Sequence, residues 1–86
     1  SGPAIIGKNT KLIDTYVGPY TAIYNDCLLE KNEIENSIIL ENTQIRNVVR
    51  IEGSLVGKEV EISGTSDQPK AHKLMLGDHS KVVISK

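Results

Sequence analysis

The side chains able to do chemistry are few and widely spaced. His72 and His79 are the only imidazoles in the chain, and imidazole is the usual general base or metal ligand near neutral pH. Asp67 and Asp78 precede them, so Asp67, His72, Asp78 and His79 make one conceivable metal set. They lack the close cysteine or histidine spacing that marks a zinc site, and no metal site is assigned. Cys27 is a lone thiol with no base beside it in sequence. Glu30, Glu33, Glu35 and Glu41 could pair carboxylates for acid–base work, and Tyr16, Tyr20 and Tyr24 fall within nine residues. No Gly-x-Gly occurs, and Gly7-Lys8 and Gly57-Lys58 lack the spacing of a phosphate-binding loop. Residue type and spacing therefore assign neither a catalytic nor a cofactor-binding residue.

The elements that would position these groups are bounded by composition. A chain of 86 residues builds one domain and cannot enclose two independent cores. Ten basic residues balance eleven acidic ones, which argues against nucleic acid or an anionic membrane as partner. A single cysteine cannot form an internal disulfide, and neither a signal pattern nor a long apolar run is present, so the expected setting is cytoplasmic. The apolar set is unusual: eleven Ile, seven Val and seven Leu stand beside three Tyr, with no Phe or Trp. Such a chain must bury many small branched side chains in a regular stack, where most small domains lean on a few large rings.

That regularity is visible. An aliphatic residue recurs at Ile6, Leu12, Val17, Ile23, Leu29, Ile34, Ile39, Ile45, Ile51, Val56 and Ile62, always five or six residues after the last. This period belongs to neither a helix nor a simple strand. Three short units make about 17 residues, and a 17-residue shift sets Ser37 on Ser54, Ile39 on Val56 and Ile45 on Ile62. Coils of three short strands, stacked so that the recurring aliphatics point inward, account for the pattern. Small residues four positions on, Thr10, Thr21, Cys27, Thr43 and Val60, would fill the corners, which reads Cys27 as an inward filler.

Corners every five or six residues need residues that turn at low cost, and Asn9, Asn25, Asp26, Asn32, Asn42 and Asn47 with Gly7, Gly18, Gly53 and Gly57 are spaced accordingly. The glutamates fall off the inward register, and the 17-residue shift sets Glu41 against Lys58 on an outer face. Tyr20, after Pro19, reads as an exposed ring available for an interface. The outer faces of a short prism would be flat and rich in aliphatics, and both ends would expose strand edges. Residues 1–62 are thus read as coils. Residues 63–86, where the period lapses, are read as a loop and a tail that caps the stack within the same domain. His72 and His79 follow the last coil and are expected to be packed in the tail or simply exposed.

Two sets of residues carry a resemblance. The hexads Ile6-Gly7-Lys8-Asn9-Thr10-Lys11 and Val56-Gly57-Lys58-Glu59-Val60-Glu61 resemble the hexapeptide repeats of left-handed parallel β-helices. The ending Pro69-Lys70-Ala71-His72-Lys73-Leu74-Met75-Leu76-Gly77-Asp78-His79-Ser80 follows Tyr16-Val17-Gly18-Pro19-Tyr20-Thr21 and Asn36-Ser37-Ile38-Ile39. Together these are similar to the C-terminal end of long-form glucose-1-phosphate thymidylyltransferases, a group of sugar-1-phosphate nucleotidylyltransferases. The resemblance runs from Gly2 to Ile84. It implies an all-β, single-stranded left-handed parallel β-helix that serves assembly, forms a homo-oligomer with a trimer favoured, and packs on a nucleotidyl-transfer half. That half, with its glycine-rich loop and its Mg-binding carboxylates, is absent from these 86 residues. The alternative it implies is an acyltransferase that uses acetyl-CoA to acetylate an amino-sugar phosphate, with His72 or His79 as base.

Overall fold

The computed structural model describes residues 3–65 and 73–84. The β-branched runs between turn residues form thirteen strands of two to four residues, and no helix occurs among the described residues. They wind into a parallel β-solenoid of three faces. The first face holds β1 (Ala4–Ile6), β4 (Thr21–Ile23), β7 (Ile38–Ile39), β10 (Leu55–Val56) and β12 (Met75–Leu76). The second holds β2 (Lys11–Ile13), β5 (Leu28–Glu30), β8 (Gln44–Arg46), β11 (Glu61–Gly64) and β13 (Lys81–Ile84). The third holds β3 (Tyr16–Val17), β6 (Glu33–Glu35) and β9 (Arg50–Glu52). Each strand pairs in parallel with the strand one turn away, so every hydrogen-bonded neighbour is remote in sequence.

Strand register stacks the inward residues into three columns. Ile6, Ile23, Ile39, Val56 and Leu76 align on the first face, and Leu12, Leu29, Ile45, Ile62 and Val82 on the second. Val17, Ile34 and Ile51 align on the third. From Ile23 to Ile62 all these side chains are fully buried, and each is worth about 1.5–3 kcal/mol of transfer free energy. At the first turn the columns open: Ile6 is 45% exposed, and Leu12 and Val17 are only partly covered. A stack has no side-chain layer beyond its end turn, so burial falls off there.

The corners are built from two devices. One residue per corner takes the left-handed backbone conformation. These form vertical files: Asn9, Asp26, Asn42, Glu59 and His79 after the first face, Asp14, Lys31 and Asn47 after the second, Tyr20, Asn36 and Gly53 after the third. Asn, Asp and Gly accept that conformation readily and His79 more readily than most, whereas Tyr20, Lys31 and Glu59 hold it against their own preference. Asn25 and Asn32 are not in these files; they work through their side chains, with Asn25 Oδ1 accepting from Lys8 N at 2.7 Å and Asn32 Nδ2 donating to Val48 O at 2.9 Å. The second device is a ladder of small side chains on buried backbone. Thr43 Oγ1 donates to Gly57 O at 2.8 Å, and Ser37 Oγ accepts from Ser54 N while Ser54 Oγ accepts from Leu74 N. Thr21 belongs to the same file as Ser37 and Ser54, at a different corner from Thr10, Cys27, Thr43 and Val60.

Gly57 shows why one corner position excludes a side chain. A Cβ there would stand 2.6 Å from Asp78 N, inside contact distance of the next turn's backbone. The period that lapses after Ile62 in sequence resumes in space, with Leu76 stacked on Val56 and Val82 on Ile62. Leu76 follows Val56 by 20 residues where Val56 follows Ile39 by 17, and that longer step hides the last turn from a search at fixed period.

Candidate functional surfaces

The groups singled out for chemistry lie on different sides of the prism. His79 sits at the corner between β12 and β13, 70% exposed, with Nδ1 2.6 Å from Oε1 of Glu59 in the same corner one turn earlier. Glu59 thereby fixes the ring through one nitrogen and leaves the other facing solvent, the geometry of a carboxylate-oriented imidazole. Asp78 beside it is already committed: its Oδ1 accepts from Lys58 N at 2.7 Å, as Asn25 does for Lys8. His72 and Asp67 lie outside the described residues. Among the described residues, no three His, Cys, Asp or Glu side chains are grouped so as to hold a metal ion.

Cys27 is 2% exposed, and its Sγ lies 3.2 Å from Leu40 O, to which the thiol donates. Burial pushes its pKa above the ordinary thiol range, and backbone hydrogen bonds to Thr43 and Asn42 offset only part of this. A protonated thiol packed in a corner file is a weak nucleophile.

The glutamates form ladders with bases one turn away. Glu30 meets Arg46 at 3.7 Å, Glu61 meets Lys81 at 3.3 Å, and Glu35 pairs with Arg50, which Glu52 also approaches. The hydrogen bond to Glu35 raises the Arg50 pKa, which holds the guanidinium charged. No ion pair joins Glu41 to Lys58 among the described residues, although the 17-residue shift stacks them. Glu35 and Glu52 stand side by side in register at one open depression, and Arg50 approaches both, so neither is left as an unpaired base.

The three tyrosines are dispersed by the corners. Tyr16 lies on the third face, Tyr20 at the corner after it, and Tyr24 beside β4 on the first face, all exposed. Tyr20, Glu35, Asn36, Glu52 and Lys73 surround an open depression of about 620 Å³. Sequence reasoning placed aliphatics on the outer faces without distinguishing them. The structure lines them up only on the first face, where Ile5, Ile38, Leu55 and Met75 are all exposed; Ile13 and Val83 on the second face and Val49 beside β9 are exposed too, but the second and third faces also carry the charge ladders. The available signal is the residue just before each inward residue of the first face, apolar in every turn.

No family model matches the chain. Among characterised proteins it is 44% identical over 84 residues to a protein of Streptomyces griseus named glucose-1-phosphate thymidylyltransferase, covering 98% of this chain and 24% of that one. A protein of Streptomyces antibioticus with the same name is 46% identical over 83 residues, covering 96% of this chain and 23% of its own length. The chain thus spans about a quarter of the curated relatives it matches.

Proposed function

We propose that this chain, which is similar over nearly all its length to one β-solenoid-sized quarter of the glucose-1-phosphate thymidylyltransferases, is the assembly domain of such a sugar-1-phosphate nucleotidylyltransferase. The carrying observation is the prism itself: its interior is a fully buried aliphatic stack from Ile23 to Ile62, and its polar side chains are spent on corners and surface ladders. Such a body holds other parts in place. Nucleotidyl transfer, and the Mg ion it takes, belong in this reading to the part of the parent enzyme beyond these residues. Among the described residues no three His, Cys, Asp or Glu side chains are grouped to hold that ion. The partners are that catalytic part and further copies of the same chain, three prisms together being the favoured arrangement, in a reducing cytoplasm that keeps Cys27 a thiol. The test is deletion of this segment from a full-length relative. Assembly mass should fall while nucleotidyl transfer per active site persists. Unchanged mass, or complete loss of transfer by a folded catalytic part, would overturn the reading.

The Glu59–His79 pair favours one second reading, acyl transfer from acetyl-CoA to an amino-sugar phosphate. The free imidazole nitrogen would take a proton from the attacking amine as the amine–carbonyl bond forms and the thioester C–S bond breaks. That proton would then pass to the departing thiolate. Release of coenzyme A thiol, followed with a thiol reagent in parallel His79→Ala and His72→Ala variants, decides it. Equal release in wild type and both variants removes the histidine mechanism.

A further inference from the structure

Resting on the assembly reading above, we propose that copies of this chain meet through the first face of the prism, along the outward column Ile5, Ala22, Ile38, Leu55 and Met75. Strand pairing places these five in line, one per turn, at a spacing of about 4.8 Å. Ile5, Ile38, Leu55 and Met75 are exposed, Met75 to 78%. Near the first turn Ile5, Ala22 and Tyr24 line a shallow, mostly apolar depression of about 280 Å³. The uncovered parts of the column and of the Tyr24 ring come to roughly 600 Å², the upper end of what a soluble monomer leaves open and close to the ~800 Å² each partner gives a stable interface.

The occupant follows from symmetry. When identical chains meet about an axis, residues near that axis face their own counterparts, so a charge there meets a like charge. The matching column of the second face is Lys11, Leu28, Gln44, Glu61 and Lys81, and that of the third is Tyr16, Glu33 and Arg50. Each would set like charges against each other. The first-face column carries none, and of the three it alone can be laid against itself without that penalty. Ile38 is the third of its five residues and faces its counterpart in either a two-fold pair or a three-fold cluster.

The experiment is sedimentation equilibrium of the 86-residue chain, comparing wild type, an Ile38→Glu/Leu55→Glu double variant, and Gln44→Glu on the second face. Wild type and Gln44→Glu should sediment at a multiple of 9.4 kDa and the double variant at 9.4 kDa, with the same far-UV circular dichroism. In a Cys27→Ala background, Ile38→Cys should form an interchain disulfide on mild oxidation and Gln44→Cys should not, a readout that survives if the double variant fails to fold. A wild-type chain that stays at 9.4 kDa at every concentration, or a folded double variant that keeps the wild-type mass, overturns the proposal. A folded double variant at wild-type mass refutes this face alone. The deletion in the full-length relative separately judges the assembly reading.

Discussion

Ile39 is the best place to measure what the stack is worth. It is fully buried between Ile23 and Val56 in the first-face column, with a complete turn on either side. Truncation to Ala removes three carbon groups, about 2.4 kcal/mol at ~0.8 kcal/mol each, and leaves a cavity between turns that parallel pairing keeps from closing. The expected total loss is about 3–4 kcal/mol. Ile6 occupies the same column beside Ile23, but in these 86 residues it is covered from one side and is 45% exposed. The same truncation there forfeits about half the transfer term and creates no enclosed cavity, for a loss of about 1 kcal/mol. Urea unfolding followed by far-UV circular dichroism measures both, against a total stability of about 4–13 kcal/mol for a chain of this size. Losses for Ile39→Ala and Ile6→Ala that agree within about 0.5 kcal/mol would refute the inward register and the open first turn together.

Gly57→Ala should destabilise by about 1–3 kcal/mol, because its Cβ meets the Asp78 backbone, whereas Gly77→Ala, with nothing within 4 Å, should be near neutral; thermal denaturation of the two variants side by side checks this. Lys31→Asn should raise stability by about 0.5–1 kcal/mol, since Lys31 is exposed and holds φ 57°, a conformation Asn accepts more readily; an unchanged or lower melting temperature would count against corner strain. Cys27 sets an alkaline limit. Its pKa is raised in the folded chain, so stability is unaffected by this group below the unfolded thiol's value of about 8.5. Above that pH the unfolded chain releases a proton that the folded chain keeps, and stability falls as pH climbs toward the raised folded value. Cys27→Val should remove that part of the slope when melting temperatures are compared between pH 7 and 10.5, and in wild type thiol labelling should track unfolding.

The core could be read from sequence because each column depends on one residue type at a nearly fixed step. Five- and six-residue gaps are the direct image of three short strands per turn, and the shared hexad place of Cys27 and Thr43 reflects their common corner file. What sequence did not give is set by geometry acting against local preference. Lys31, Tyr20 and Glu59 hold left-handed corners because the turns stacked against them impose that conformation, and nothing in their side chains announces it. The 20-residue step between Val56 and Leu76 broke the period, so a turn of the solenoid reads in sequence as a tail. The three tyrosines, close in sequence, part company because each intervening corner turns the chain toward another face. The Glu59–His79 contact joins residues 20 apart that only the stacking of corners brings together.

The uneven step after β11 has a consequence for how such a body can change over time. Val56 and Leu76 are 20 residues apart where the other turns take 16 or 17, yet the first- and second-face columns resume without a shift. The prism therefore has a seam where chain length and cross-section are uncoupled. Material could be spliced in at that seam, from a few residues to a guest domain, and the two columns beyond it would still find their places. Single residues are absorbed at the corners flanking the third face, where Leu29 and Ile34 are five residues apart but Ile45 and Ile51 six, and Val17 and Ile23 six but Ile34 and Ile39 five, with the columns still in register; within a strand, an inserted residue would turn the inward side chain to the outside. Grafting and drift in length should therefore concentrate on the side of the third face, leaving the corner between the first and second faces, six residues from inward residue to inward residue in every turn, fixed as a ruler against which neighbouring parts are set.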